Sequence, residues 1–309
     1  MMPAQQPSLQ QVAPAVYAWI GAGGDSNAGA IVAADGIIAI DAQQTLPLAH
    51  AFRRAVEHAT ACPVRRLVNT HLHLDHTAGN LAFADVPILA HERTSAMMQE
   101  ALGPTADGTW SISDFEPKVR LFFGANIREL VPPGSAGEAW FVQRMSGPDY
   151  DTVTLKAPTE TFADRFAADV ANDRVRIEFW DPSHCDGHVV IWLPRAKIAF
   201  LGDLLFVGRF PWLGDCDLDG WIAQLGRILE MDIDTVVPGH GAVATRNDVA
   251  AFGDLLASLR DAVAAAVRAG HSEDAACAEI ELPLYAALPR YREWLPFNIR
   301  AAYRYLKGR

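Results

Sequence analysis

Basic residues are scarce in this chain. Lys and Arg number 26 against 37 Asp and Glu, leaving a formal net charge of -11 at pH 7 and a pI of about 5.3. A phosphate backbone wants a basic face, so no nucleic-acid partner is expected. Cysteine is scarce too. Cys62, Cys185, Cys216 and Cys277 form no CxxC pair, which argues against a disulfide framework and for free thiols in a reducing compartment. No apolar run is long enough to span a bilayer, so no membrane partner is expected. Met1 to Pro7 has neither the basic n-region nor the apolar h-region of a signal peptide. The expected location is cytoplasmic.

What the chain does have is apolar material: 50% of its 309 residues are hydrophobic, enough for a large core. Apolar runs and helical spacings alternate along it. Val16 to Ile20, Ala28 to Ala33 and Gly36 to Ile40 read as strands, with Gly23-Gly24-Asp25-Ser26-Asn27 as a turn. Leu48 to Ala59 reads as an amphipathic helix, Val86 to Ala90 as a strand and Glu92 to Ala101 as a helix. Thr77 to Phe83 is expected to begin a helix. Later strands are expected at Val175–Trp180, Val189–Leu193, Ile198–Leu201 and Thr235–Pro238, with helices at Asp219–Met231 and Val249–Ala269. This is an α/β pattern. Residues 1–14 are Gln- and Pro-rich and are expected to be loose, 15–265 to form the main domain, and 266–309 to be a helical extension packed on it.

Between Gly103 and Pro158 the alternation breaks. Pro and Gly fall irregularly among aromatics, yet the composition is not that of a disordered segment. It reads as a folded insertion.

The chemistry concentrates in His71-Leu72-His73-Leu74-Asp75-His76, which follows the apolar run Arg66 to Thr70. In extended chain His71 and His73 project to one side, and a turn after Leu74 lets Asp75 and His76 face a second point nearby. Neutral imidazoles joined by a carboxylate suit zinc, copper, iron or nickel. Further candidates also follow strands: His184 after Ile177 to Trp180, Asp203 after Ile198 to Gly202, and His240 after Thr235 to Gly239. Strand ends on one edge of a layered protein form a shared crevice, so these distant residues are expected to meet.

These motifs together resemble the metallo-β-lactamase superfamily. The matching residues are His71 to His76, Pro182-Ser183-His184-Cys185-Asp186-Gly187, Gly202-Asp203 and Pro238-Gly239-His240-Gly241. The resemblance is greater to the glyoxalase II-like branch than to lactamases with a cysteine at the place of Asp203. It implies a four-layer αββα sandwich, here with the inserted segment and the helical C-terminal extension. It also implies two divalent metal ions, zinc with iron or manganese as alternatives. His71, His73 and His184 would hold one, Asp75, His76 and His240 the other, and Asp203 would bridge them. Asp41, Cys185 and His188 would support the ligands from behind; Cys185 stands where the family often has Thr, and His188 where it often has Asp. Asp75 and Asp203 are the catalytic candidates.

The implied activity is hydrolysis of an ester, lactone, thioester or amide of a small molecule by a metal-bridged hydroxide. The alternative is a mono-iron dioxygenase acting on a persulfide. The insertion is expected to form a lid that selects substrate through Trp110, Phe115, Phe122 and Phe123, with Phe206 to Trp212 as the opposite wall. The competing expectation for the insertion is a homodimer contact.

Overall fold

Adjacent residues of Gly36–Ile40 face two different interiors. Ile38 and Ile40 point into one apolar cluster, while Ile37 and Ala39 point into another. A strand buried on both faces reads as a continuous apolar run because the side-chain period is two. The structure is a computed structural model and describes residues 6–124, 127–131, 133–170 and 173–308.

Two sheets lie face to face. The first has seven strands in the order Ser8–Ala13, Val16–Ile20, Ala28–Ala33, Gly36–Ile40, Val64–Val68, Ile88–His91 and Glu160–Phe162. The second has five, Arg165–Val170, Asp173–Phe179, Val189–Leu193, Ile198–Phe206 and Thr235–His240. Ile31, Ile40 and Val68 from the first meet Ile177, Ile191, Phe200 and Val237 from the second in the central cluster. Helix Leu46–Thr60 covers the outer face of the first sheet with Phe52 and Val56. Its start is set by the Thr45 side chain, which accepts from Leu48 N–H, and by Pro47 in the first turn. Full burial of a side chain such as Phe52 contributes about 1.5–3 kcal/mol. Helices Leu218–Glu230 and Arg246–Arg268 cover the second sheet with Trp221, Leu225, Phe252 and Leu256. The result is the αββα sandwich.

Several boundaries differ from the sequence reading. The N-terminal stretch is not all loose: Ser8–Ala13 pairs antiparallel with Val16–Ile20, while Met1 to Gln5 lie outside the described residues. In place of a helix over Thr77 to Phe83 there is one α-turn, Leu74–Thr77, and a 3-10 turn, Asn80–Phe83. The strand from Ile198 does not stop at Leu201 but runs to Phe206, through Asp203.

The insertion is folded, with a two-stranded ribbon, Thr109–Ile112 paired to Val153–Lys156, and short helices including Phe115–Phe123 and Ala136–Arg144. It packs on the C-terminal helix Tyr291–Lys307. Trp140 meets Trp294 edge-on at 5.6 Å, and Phe141 lies 6.2 Å from Phe297. Gly137 permits this approach, since a Cβ there would lie 1.8 Å from Phe297. Among the described residues no helix is long and apolar enough to cross a membrane.

Candidate metal centre

Every candidate ligand sits at the same edge of the two sheets. After Val64–Val68 the chain reaches His71 and His73, and the single turn Leu74–Thr77 then swings Asp75 and His76 to a second point. His240 is the last residue of its strand, and Asp203 lies within the neighbouring parallel strand.

Two clusters result: His71, His73, His184 and Asp203, and Asp75, His76, Asp203 and His240. Within each, one ligand atom per residue lies within 4.8 Å of all the others. Asp203 belongs to both through different oxygens. Its Oδ2 is 3.9 Å from His71 Nε2 and 3.6 Å from His184 Nε2. Its Oδ1 is 3.1 Å from His76 Nε2 and 3.4 Å from His240 Nε2.

The surrounding hydrogen bonds select the tautomers. The buried Asp41 carboxylate accepts from Thr70 N–H and Thr70 Oγ–H, each at 2.7 Å, and faces His76 Nδ1 at 2.9 Å. Thr70 has spent its one hydroxyl hydrogen on Asp41, so at 3.0 Å its oxygen accepts from His71 Nδ1. His240 Nδ1 donates to Gly24 O at 3.0 Å. In all three rings Nε2 is thereby left to face its cluster. Such partners behind metal-binding imidazoles fix ring and tautomer together.

The electrostatics divide the same way. Burial holds His71, His73 and His184 below the ordinary histidine range, so they present neutral lone pairs. Burial also opposes the charge on His76 and His240, but Asp203, with Asp75 and Asp41 at His76, outweighs it and raises both. Burial would raise Asp75, yet His76 and His240 bring it down to about 2. Asp203 falls well below its ordinary value despite burial, because of His240 and His76.

The donor set fits cations. His71 Nε2 and His73 Nδ1 are 3.2 Å apart, and His184 Nε2 is 3.3 Å from the same His73 nitrogen. Among the described residues, His76 Nε2 and Asp203 Oδ1 are buried and make no well-aligned hydrogen bond, facing each other at 3.1 Å. Buried polar atoms of this kind call for an explanation such as an ion, and imidazole with carboxylate suits zinc.

Cys185 lies outside both clusters; burial pushes its thiol up, so it stays protonated. His188 stacks on His71 with centroids 5.2 Å apart and planes 26° from parallel. Glycine is needed at two places here: a Cβ on Gly239 would lie 1.9 Å from Asp203 Oδ1, and one on Gly202, at φ +50°, 2.8 Å from Thr70 Oγ1.

Above the ligands opens a cavity of about 410 Å³, with His73, Asp75, Asp203 and His240 at its base. Of the residues expected to contact substrate, Phe122, Phe123, Phe206 and Trp212 line it. Trp110 and Phe115 do not. Trp110 is buried within the insertion and donates to Gly103 O at 2.9 Å, and Phe115 packs beneath Arg128. The insertion needs aromatics for its own core, and these two serve it. Arg209, inside the Phe206 to Trp212 wall the sequence pointed to but not singled out there, also lines the cavity, as do Trp140, Arg290 and Trp294, which sequence reasoning did not assign to the site. That reasoning also missed Asn27, whose amide donates to Pro238 O at 2.9 Å and Gly241 O at 2.8 Å, holding the loop around His240. The turn composition around Asn27 was the one available signal.

Known proteins are similar to this chain to different extents. The alpha subunit of 2,4-dinitroanisole O-demethylase from Nocardioides sp. (strain JS1661) is 26% identical over 245 residues, 76% of this chain and 58% of that one. A linear primary-alkylsulfatase from Pseudomonas sp. (strain ATCC 19151) is 22% identical over 253 residues, 76% and 44% of the two chains. The chain spans about half the length of these curated relatives. A solved stereoselective inverting sec-alkylsulfatase from Pseudomonas sp. superposes with a TM-score of 0.66 at 18% identity, over 96% of this chain and 50% of that one. A metallo-beta-lactamase from Pontibacter korlensis superposes with a TM-score of 0.59 at 18% identity, over 81% and 99%. At these identities the likeness is one of fold. The family model of the metallo-beta-lactamase superfamily matches residues 21–240, from the glycine-rich turn to the last histidine of the centre, and the chain belongs to that superfamily.

Proposed function

We propose that this protein is a metal-dependent hydrolase that cleaves an ester-type bond of a small, partly apolar molecule. One observation carries the reading: Asp203 turns its two oxygens to two ligand clusters at the base of an aromatic-walled cavity. His71, His73, His184 and Asp203 would hold one divalent cation, and Asp75, His76, His240 and Asp203 a second, with zinc the best match to the donors. Bound there, such a pair supplies Lewis acidity and lowers the pKa of water.

The chain's own groups do the rest. Asp203 keeps the two positions adjacent. Asp75, ionised at neutral pH and lining the cavity, can orient a water. Phe122, Phe123 and Trp212 take the apolar part of the substrate and exclude bulk water, which strengthens the electrostatics of the base. Esters, lactones, thioesters and amides are the substrate classes. The names of the curated relatives extend the panel to sulfate esters and aryl ethers. A mono-iron dioxygenase would need only one carboxylate and two histidines, so the second complete cluster favours the two-cation reading.

The test is metal analysis of protein purified without added metal, followed by a hydrolysis screen over these classes. About two equivalents of divalent metal and chelator-sensitive hydrolysis support the proposal. A single iron with oxygen uptake on a persulfide, and no hydrolysis, would sink it.

A further inference from the structure

The C-terminal helix lies outside the region that matches the superfamily, which ends at His240. It nevertheless holds the loop that follows Asp203. Asn298 Nδ2 donates to Pro211 O at 2.8 Å, and its Oδ1 accepts from Leu213 N–H at 3.1 Å. Just before the helix, Pro289 O accepts from Phe210 N–H at 2.9 Å. Asn298 is 1% exposed, so these bonds are shielded from competing water.

That loop carries Arg209. The helix supplies Trp294, 2% exposed, and the Arg209 guanidinium lies 4.6 Å from its ring centroid. Arg209 is also 5.7 Å from Phe206, whose ring stacks on His240 at 5.1 Å and 9° from parallel. The guanidinium donates through Nη1 to Gly24 O. This is the same carbonyl that accepts from His240 Nδ1.

Arg209 Nη1 is also 3.1 Å from His240 Nδ1. Were it to donate there, the ring hydrogen would move to Nε2. It would then point at Asp75 Oδ2, 3.2 Å away, and block a cation. Gly24 O prevents this by taking both donors. Gly24 has φ +90°, a conformation that suits glycine, so the carbonyl's placement depends on what grips it.

We infer that Arg209 is a positioning residue for the second metal position: it pins Gly24 O, and through it His240, while the C-terminal helix holds Arg209 in place with Trp294. This rests on the reading of His240 as a ligand. The superfamily region would then supply the ligands, and a segment beyond it would set how firmly one cation is held.

The experiment is Zn2+ titration against a chromophoric chelator, on wild type, Arg209→Met, Arg209→Lys, Trp294→Leu, Trp294→Phe and the double variant Arg209→Met/Trp294→Leu. Circular dichroism selects the folded proteins. Arg209→Met is expected to weaken the second Zn2+ about 10–100-fold and leave the first unchanged. Arg209→Lys, which keeps a donor, should lose less. Trp294→Leu should weaken the second Zn2+ in the same way, and Trp294→Phe, which keeps a ring face, should restore most of the loss. The double variant should lose no more than Arg209→Met alone, because Trp294 acts through Arg209. Activity lost in Arg209→Met should return with excess Zn2+, with KM little changed. Unchanged Zn2+ affinities would overturn the inference, as would equal weakening of both positions. A raised KM with intact Zn2+ binding would make Arg209 a substrate contact instead. Wild type that takes up fewer than two Zn2+ would fail at an earlier point, the ligand assignment itself.

Discussion

Asp41 Oδ2 lies 2.9 Å from His76 Nδ1, and both residues are buried. Asp41 has φ +56°, uncommon for a residue other than glycine, and that bend turns its carboxylate back toward the Thr70–His76 segment. Asp41→Asn would present an amide to three donors: Thr70 N–H, Thr70 Oγ–H and His76 Nδ1–H. One must lose its acceptor, at a cost of about 1–3 kcal/mol. Urea unfolding should show that loss, and metal titration should show weaker binding at the second position. Unchanged stability and unchanged binding would remove Asp41 from the design.

Asp203 and Cys185 should separate cleanly. Asp203→Ala removes a donor from both clusters and is expected to abolish hydrolysis at saturating metal. Cys185→Ala is expected to cost at most about 10–100-fold, because its thiol is in neither cluster. If the two variants are equally inactive in steady-state assays, the assignment of Cys185 is wrong.

Gly239 is a second control on Asp203. A Cβ at this position would lie 1.9 Å from Asp203 Oδ1 and 2.6 Å from the Gly202 carbonyl carbon. Gly239→Ala should therefore displace the shared carboxylate and lower metal content at both positions while the sandwich still folds. A variant with two tightly held metals and wild-type kcat would show that the strand end yields more easily than its packing implies.

The residues of the two clusters were legible in the sequence because few residue types suit a metal site. Three histidines and an aspartate within six positions have no common structural use, and each remaining candidate is preceded by an apolar run. The cavity wall was less legible. Phe122 and Trp110 look alike as sequence, yet one lines the cavity and the other fills the insertion's own core. Arg209 and Trp294 stand 85 positions apart, and no spacing rule joins them. The strand Ser8–Ala13 was hidden by its Gln-rich surface, since an edge strand half exposed to water needs little apolar sequence.

His188 gives a pH prediction. Burial pushes it down from 6.5 to about 3, and neither ring nitrogen has a hydrogen-bond partner among the described residues. Above pH 6.5 both folded and unfolded chains carry it neutral, and it contributes no pH dependence. Below 6.5 the unfolded chain takes up a proton that the folded chain refuses. Stability then falls with acid, by up to about 1.4 kcal/mol per pH unit for this one proton, until the folded value is reached. In chelator, His188→Leu should unfold with a shallower dependence on pH between about 6 and 4 by roughly that slope. Equal slopes in the two proteins would mean that folded His188 protonates normally.

The last prediction separates wall from core within the insertion. Phe123 and Trp140 line the cavity, and each also touches the C-terminal half: Phe123 meets Trp212 at 5.4 Å and Trp140 meets Trp294 at 5.6 Å. Trp110 is as buried as Phe123 but lies away from the cavity. Truncating a buried aromatic to Ala costs about 3–5 kcal/mol, and smaller changes are destabilising in wall and core alike, so stability alone cannot tell the roles apart. Phe123→Leu and Trp140→Leu should raise KM or change the preferred acyl or leaving group, with metal content unchanged. Trp110→Phe, which loses the bond to Gly103 O, should lower the unfolding midpoint and leave KM alone. Steady-state kinetics across a series of esters of increasing size, run beside thermal unfolding, would read both effects. A Trp110→Phe protein with altered selectivity, or a Phe123→Leu protein with none, would mean that substrate binds elsewhere than in this aromatic cavity.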